Sequence, residues 1–377
     1  MNEQQILRCA KKIVTEVCQI KTDEKILIVT NRSLKNGIAE TEIISQALYD
    51  ECIKVGAKSV MIVQSEKTAL DAADSVVIAA LKTEPDVFFS ISANKLGKDL
   101  EAIKKPYVAE DGSTHDHIFD YLLYGKKTMR AVWTPGITLD MFARTVDIDY
   151  QLLGDRCRKL CELYKDVQTV RVTSPLGTDV VVPVAGRRAF EDNGFFCVAG
   201  SGGNIPAGEV FISPLVGDGK EKGCKGTIVF DGSITVNEGD FLLENPVTID
   251  VKGGFVQSVK GGIEATKLLD TITTAEKSAL QMENEGKLPS GQGIVYSRNA
   301  RNIGELGIGL NPSATITGNM LEDEKAFRTC HFAIGANYDG DAPALIHLDC
   351  VVKNPTIEFT YSDGSTRIVL RAGELVE

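Results

Sequence analysis

Residues 301–350 read RNIGELGIGLNPSATITGNMLEDEKAFRTCHFAIGANYDGDAPALIHLDC, and this stretch decides how the second half of the chain is organised. Its last segment, 344–352, is apolar apart from His347 and Asp349, which predicts a buried strand. Successive strand residues point to opposite faces, so residues two positions apart project side by side from one face. His347 and Asp349 are therefore arranged as a strand would offer two metal ligands.

Two further polar residues interrupt apolar runs of the same stretch, Glu305 in one run and His331 in another. A buried carboxylate or imidazole without a partner is costly, and a cation supplies that partner. Ordinary packing explains each residue taken singly, with His347 and Asp349 hydrogen-bonded to each other and His331 as a core histidine. Four such residues within one stretch favour a metal site.

Composition limits the classes of function. At 377 residues the chain is expected to form two or three domains of roughly 100 to 200 residues each. A net charge of -11 without a basic stripe argues against a nucleic-acid partner. No segment predicts a signal peptide or a membrane span. Nine cysteines, mostly isolated in apolar runs, predict reduced thiols in a cytoplasmic protein.

Residues 1–150 alternate helix and strand patterns, which predicts a wound α/β domain with a parallel sheet. The predicted helices cover 6–18, 38–55, 70–83 and a segment from about 97, and the predicted strands cover 25–29, 59–63, 87–91 and 130–133. No strand is followed by a dinucleotide or phosphate-binding glycine motif, so no nucleotide cofactor is expected. His115 and His117 form a polar loop that needs no function, and Cys157 with Cys161 makes a poor zinc site.

After a predicted helix over 150–164, residues 151–377 change to short β-type runs separated by glycines, which predicts a mostly antiparallel β-rich domain. The clearest predicted strands cover 167–172, 179–184, 226–230, 247–251 and 255–259, and one long helix covers 263–284. Within this half, Glu209 begins an apolar run after a glycine-rich turn. Gly202, Gly203 and Gly208 would let a substrate backbone approach closely, although plain turn chemistry explains them equally well.

At these residues the sequence resembles the M29 family of metallo-aminopeptidases, the aminopeptidase T and aminopeptidase S group. The resemblance extends over most of the chain and is carried by four motifs: Asn204-Ile205-Pro206 leading to Glu209-Val210-Phe211, Asn302-Ile303-Gly304-Glu305, Cys330-His331-Phe332-Ala333-Ile334-Gly335 followed by Tyr338, and His347-Leu348-Asp349. It implies five metal ligands, namely Glu209, Glu305, His331, His347 and Asp349. It also implies an active-site tyrosine at Tyr338 and a homodimer that encloses the site.

The sequence departs from that family in one position, because Gly208 stands where its peptidases usually carry a second acidic residue. The short spacing between His331 and His347 is similar to a shorter branch of the group. That branch also resembles the 2,5-dihydroxypyridine ring-cleaving dioxygenases, which share the scaffold but bind one iron ion. An iron ion would need only His331, His347 and Asp349.

Charge counting favours two metals over one. Two divalent ions (Zn, Co or Mn) are balanced by Glu209, Glu305, Asp349 and one bridging hydroxide. The resulting hypothesis is a hydrolase that removes N-terminal amino acids from peptides with a two-metal-activated water. Asp349 would bridge the ions, Glu305 or Glu209 would accept a proton, and Tyr338 would stabilise the oxyanion. The alternatives are the mononuclear iron dioxygenase and a non-catalytic protein whose metal only stabilises the β-rich domain.

Overall fold

The structure is a computed structural model that describes residues 3–32, 38–68 and 71–376. It divides into two compact units, one made of 1–154 with 192–207 and the other of 155–191 with 208–377. In the described residues no helix is both long and apolar enough to cross a bilayer. All nine cysteines are free thiols.

The first unit contains a five-stranded parallel sheet with helices between its strands, as the alternating pattern predicts. Its strands are β1 (Lys25–Arg32), β2 (Lys58–Ser65), β3 (Val87–Ile91), β6 (Arg130–Trp133) and β10 (Gly202–Asn204), in the order β10-β6-β3-β1-β2, with a small hairpin of β4 (Tyr107–Val108) and β5 (Thr114–His115). Its helices are α1 (Glu3–Lys12), α2 (Glu40–Lys54), α3 (Ser75–Leu81), α4 (Leu100–Lys104), α5 (Ile118–Asp120) and α6 (Leu139–Thr145), with π-helical turns at Ile13–Val17 and Tyr121–Gly125.

Two of the predicted helices in this unit begin later than expected, α3 at Ser75 and α4 at Leu100. Helix α4 begins where the Asp99 carboxylate accepts hydrogen bonds from two backbone amides, and it ends just before Pro106, which cannot continue the backbone ladder. Helix α3 covers only 75–81 of the predicted 70–83, and residues 69–70 lie outside the described part of the chain.

The single domain boundary expected at residue 150 does not account for residues 192–207, which return to the first unit. There β10 pairs in parallel with β6, so that Gly202 lies opposite Ala131. A side chain at Gly202 would place its Cβ 2.6 Å from the Ala131 carbonyl oxygen. Gly202 therefore allows close strand packing, and a Cβ at Gly203 would lie 2.6 Å from the Phe196 ring, which corrects the interpretation of these two glycines as a turn that a substrate approaches.

The second unit contains two antiparallel sheets. Helix α7 (Tyr150–Leu163) carries the chain into it. The seven-stranded sheet has the order β14-β13-β19-β18-β17-β11-β9, with β9 (Phe190–Asp192), β11 (Glu209–Ile212), β13 (Ser233–Val236), β14 (Gly239–Leu242), β17 (Ile303–Gly309), β18 (Thr329–Gly335) and β19 (His347–Lys353). The eight-stranded sheet has the order β16-β15-β12-β8-β7-β20-β21-β22, with β7 (Val167–Thr173), β8 (Asp179–Pro183), β12 (Lys225–Phe230), β15 (Val247–Lys252), β16 (Phe255–Lys260), β20 (Thr356–Tyr361), β21 (Thr366–Arg371) and β22 (Glu374–Leu375).

Three helices complete this unit: α8 (Ile263–Asn284), α9 (Gln292–Asn299) and α10 (Met320–Asp323). Helix α8 has the bounds that the sequence predicts, and it buries Leu268 and Ile272. The fold class is confirmed: an α/β unit with a parallel sheet and a mostly antiparallel β-rich unit.

Candidate metal centre

Four neighbouring strands, β11, β17, β18 and β19, carry all five residues predicted as metal ligands. Ala333 on β18 lies opposite Glu305 on β17 and opposite Asp349 on β19. Residues directly opposite each other in a sheet share a face, and so do residues two positions apart on one strand. The pairing thus places Glu305, His331, His347 and Asp349 on one face, although their positions span 45 residues of sequence.

The side chains of this cluster meet through the Glu305 carboxylate. One of its oxygens lies 3.1 Å from Nε2 of His331, and the other lies 3.4 Å from Nε2 of His347. His347 Nε2 is also 3.4 Å from Asp349 Oδ1, and His331 Nε2 is 3.5 Å from Glu209 Oε2. Ligands held about 2.1 Å from one ion lie within about 4.2 Å of each other, so these separations suit a shared metal.

Glycines of β17 make room for this arrangement. A Cβ at Gly307 would lie 2.1 Å from both Cε1 and Nε2 of His331, so the imidazole lies where a side chain would otherwise be. A Cβ at Gly304 would lie 2.2 Å from the Ala336 carbonyl oxygen. The same carbonyl is 2.9 Å from Nδ1 of His347. This contact leaves Nε2 of His347 directed at the carboxylates, as an outer partner of a metal-bound histidine does.

Carboxylate oxygens without hydrogen-bond partners are a second observation that fits a metal ion at this site. Glu209 Oε2, Glu305 Oε2 and Asp349 Oδ1 are buried without a hydrogen bond in the described structure. Three overlapping sets have ligand atoms within 4.8 Å of one another: Glu209, Glu305 and His331; Glu305, His347 and Asp349; and Glu324, His331 and Asp349. Buried carboxylate oxygens without hydrogen-bond donors are costly, and a cation would satisfy them.

The charges in the cluster shift one another's protonation. Burial alone would lower the pKa of His331, but its hydrogen bond to Glu305 and the nearby carboxylates outweigh burial and raise that pKa to about 9. The pKa of His347 is likewise raised well above its usual value, against burial, chiefly by Asp349. For Asp349, burial would raise the pKa, but His347 and the other cations nearby lower it to about 2. The metal-free cluster is therefore a set of ion pairs.

Sequence reasoning missed two residues of this centre, Glu324 and Lys325. Lys325 is fully buried, and its Nζ lies 2.6 Å from Glu209 Oε1 and 2.6 Å from Glu324 Oε1. Burial raises the pKa of Glu324 to about 8. Their run, Leu-Glu-Asp-Glu-Lys, has the composition of a solvated surface turn and carries no periodic signal for burial.

Tyr338 lies at the open side of the centre. Its ring centroid is 5.2 Å from that of His347 and 5.1 Å from that of Phe211, which in turn stacks on Phe190 at 5.6 Å. Although 61% of Tyr338 is exposed, burial and then the charges of Glu305 and Asp349 raise its pKa well above its usual value, so the phenol keeps its proton. We call Phe190, Phe211 and Tyr338 the aromatic row.

The His115 and His117 loop belongs to the first unit and its side chains make local contacts. His117 Nδ1 accepts a hydrogen bond from the Phe119 amide at the start of α5, and its Nε2 lies 3.1 Å from the Gly97 carbonyl oxygen. These contacts agree with the interpretation that the loop needs no function.

Comparison with known proteins adds a sequence match that covers the centre. The family profile described as 2,5-dihydroxypyridine 5,6-dioxygenase matches residues 141–377. A curated 2,5-dihydroxypyridine 5,6-dioxygenase from Pseudomonas putida KT2440 is 26% identical over 226 residues, which are 57% of this chain and 56% of that protein. The match thus spans about half the length of the curated relative.

Two solved structures share the fold along the whole chain. The 2,5-dihydroxypyridine dioxygenase of Pseudomonas putida KT2440 has a TM-score of 0.68 at 17% identity and covers 100% of this chain and 98% of its own. Wild-type AmpT from Thermus thermophilus has a TM-score of 0.64 at 14% identity and covers 100% of both chains. At these identities the likeness concerns the fold alone.

These findings correct the predicted activity. The expectation of a hydrolase, an M29 aminopeptidase acting on peptides, is wrong, because both the family profile and the curated relative are dioxygenases. The fold does not distinguish the two activities, since AmpT and the dioxygenase resemble this chain about equally. The alternative of a ring-cleaving dioxygenase is the one that the sequence matches support.

Proposed function

The chain belongs to the 2,5-dihydroxypyridine 5,6-dioxygenase family, and from this we propose that it opens a hydroxylated nitrogen-containing aromatic ring with dioxygen at a single iron(II) centre. The observation that carries the proposal is that the matched region, residues 141–377, contains every residue of the metal cluster and of the aromatic row. The activity is a proposal, since the curated relative is matched over 56% of its length.

The proposed iron ligands are His331, His347 and Asp349, the pair of imidazoles and one carboxylate that suit non-haem iron(II). Iron(II) in such a site supplies the redox chemistry that lets dioxygen react with an electron-rich ring. Glu305 lies within 3.4 Å of both imidazoles and is a fourth candidate ligand. One ion, rather than the two expected from charge counting, is the number that accords with this family.

The aromatic row supplies a surface for a flat substrate. Tyr338 packs against His347 and is more than half exposed, so a ring bound against its open face would lie next to a ligand histidine. Ring pairs with centroids 4.5–7 Å apart gain about 0.5–1.5 kcal/mol beyond area burial. Phe211 also packs against the tyrosine, at a centroid distance of 5.1 Å.

The protonation states of Glu305 and Tyr338 suit the binding of a hydroxylated ring. Burial would raise the pKa of Glu305, but its hydrogen bond to His331 and the nearby imidazole of His347 lower it, so this carboxylate is ionised and able to accept a proton from a ring hydroxyl. The Tyr338 phenol stays protonated and serves as a donor to an oxygen of the substrate. A ring bound beside His347 would thus have both a proton acceptor and a proton donor available to it.

Oxygen uptake tests the proposal. Protein loaded with iron(II) under anaerobic conditions is mixed with 2,5-dihydroxypyridine, and oxygen consumption is recorded together with the loss of ring absorbance. One dioxygen should be consumed per ring, because a dioxygenase places both oxygen atoms in its product.

Asp349→Asn should abolish this uptake, whereas Asp363→Asn, a change in the exposed turn between β20 and β21, should leave it unchanged. Failure of iron-loaded protein to consume oxygen with any of a panel of dihydroxylated pyridines and benzenes would contradict the proposed function.

A further inference from the structure

Lys325 is a buried cation in the metal centre, and its burial there needs an explanation. Its side chain is fully buried, and taking an ammonium group out of water costs several kcal/mol unless close anions compensate. The compensating charge comes from Glu209, with an oxygen 2.6 Å from Nζ, and the carboxyl group of Glu324 accepts a second hydrogen bond at the same distance. Lys325 is close enough to Asp349 to help lower that residue's pKa as well. The ammonium therefore lies among the carboxylates of the cluster.

The backbone around Lys325 keeps it there. The carbonyl of Lys325 accepts a hydrogen bond from the Asn311 amide, and the carbonyl of Asn311 accepts one from the Phe327 amide. Helix α10, just before Lys325, is tied down by Asp323, whose carboxylate accepts hydrogen bonds from the amides of Thr317 and Gly318. These contacts fix the backbone from which the Lys325 side chain extends into the cluster.

A charge count then limits the number of ions. Of the three carboxylates expected to bind metal, Glu209 is neutralised by Lys325. Glu305 and Asp349 remain, and their two negative charges balance one divalent ion. A second divalent ion beside Glu209 would lie next to an ammonium group and be repelled by it.

We propose that the Lys325 ammonium takes the place of a second metal ion beside Glu209 and thereby limits the centre to one ion. This rests on the proposed metal centre but not on the reaction it catalyses. Glu209 is then a partner of Lys325 rather than a metal ligand.

Metal titration tests the role of Lys325 without an activity assay. Metal-free protein is titrated with Zn²⁺ by calorimetry, and bound zinc is measured after gel filtration. The wild type should bind one ion per chain. Lys325→Met, which removes the charge but keeps the length of the side chain, should bind two. Lys325→Met combined with Glu209→Gln should return to one, and Lys353→Met, a change of a half-exposed lysine on β19, should stay at one.

A second comparison keeps the inference testable if Lys325→Met does not fold. In the wild-type background, Glu209→Gln should change the zinc affinity less than threefold, whereas Glu305→Gln should weaken it at least tenfold. Two ions in the wild type, one ion in folded Lys325→Met, or a tenfold loss on Glu209→Gln would each overturn the inference. Binding of one ion with no ring cleavage would contradict the proposed function alone.

Discussion

At the scale of single residues, Tyr338 combines two contributions that can be separated. Its ring packs against both His347 and Phe211, and its protonated hydroxyl is available as a donor. The ring contributes to substrate binding, whereas the hydroxyl contributes where charge develops on the substrate during reaction.

We expect Tyr338→Phe to keep iron content and to change KM for the ring substrate less than threefold. It should lower kcat on the order of a hundredfold, the usual loss for one oxyanion donor. Tyr338→Leu should also raise KM, because it removes the ring. Tyr296→Phe on α9 serves as the control, and steady-state oxygen uptake is the measurement. Unchanged kcat in iron-loaded Tyr338→Phe would remove the hydroxyl from the mechanism.

The raised pKa values of His331 and His347 predict how metal affinity depends on pH. In the metal-free protein His331 has a pKa of about 9, and that of His347 is also raised, so both carry protons at neutral pH. A metal ion must displace these protons, and each proton released strengthens apparent binding up to about tenfold per pH unit. Competition titration with Zn²⁺ should show affinity rising from pH 7 to pH 9. A flat profile would show that the histidines are not ligands.

At the scale of elements, the glycines of strand β17 leave room for atoms of neighbouring residues. Its sequence alternates glycine with larger residues, Ile-Gly-Glu-Leu-Gly-Ile-Gly, and Gly304, Gly307 and Gly309 each lie against atoms that a Cβ would overlap. At Gly309 those atoms are the backbone of Lys325 and Ala326. The strand that carries Glu305 is thus also the surface on which His331 and Lys325 are seated.

Gly307→Ala should therefore displace the His331 imidazole and lower zinc affinity at least tenfold, because the new Cβ would lie 2.1 Å from two ring atoms. Calorimetric titration of the folded variant measures this. Gly262→Ala is the matched control, since its Cβ would approach only the Glu264 carboxylate, at 3.1 Å. Equal zinc affinity in the two variants would show that His331 does not depend on this gap.

At the scale of the whole molecule, the cluster links stability to pH. A group whose pKa is higher in the folded protein than in the unfolded chain stabilises the fold at pH values below its unfolded pKa. This contribution is lost as the pH rises through the folded pKa. For His331 the loss therefore runs from about pH 6.5 to about pH 9. Asp349 acts in the opposite sense, because its lowered pKa of about 2 stabilises the fold above pH 3.8 and is lost in acid.

Metal-free protein should consequently melt a few degrees lower at pH 9.5 than at pH 6, and bound zinc should remove most of that difference by taking the place of the protons. Differential scanning calorimetry with and without Zn²⁺ measures both. His331→Gln without metal should show a smaller difference than the wild type. A metal-free wild type that melts higher at pH 9.5 would contradict the ion-pair description.

Features that depend on near neighbours along the chain could be predicted from the amino-acid sequence. Alternating apolar segments predict the parallel sheet of the first unit, and the period of two along a strand puts His347 and Asp349 on one face. The motifs around Glu209, Glu305 and His331 also single out residues that the structure brings together. Metal binding by these five residues, the homodimer and the absence of a nucleotide site stay predictions.

Features that depend on distance in space could be known only from the folded chain. It joined β10 to β6 across some 70 positions, from Trp133 to Asn204, and it paired Lys325 with Glu209 across 116. Coulomb energy and desolvation follow spatial separation, so no local pattern could show that a buried ammonium offsets one of three carboxylates. Counting charges along the sequence therefore gave two metal ions, whereas we propose one for the folded cluster because of its buried lysine.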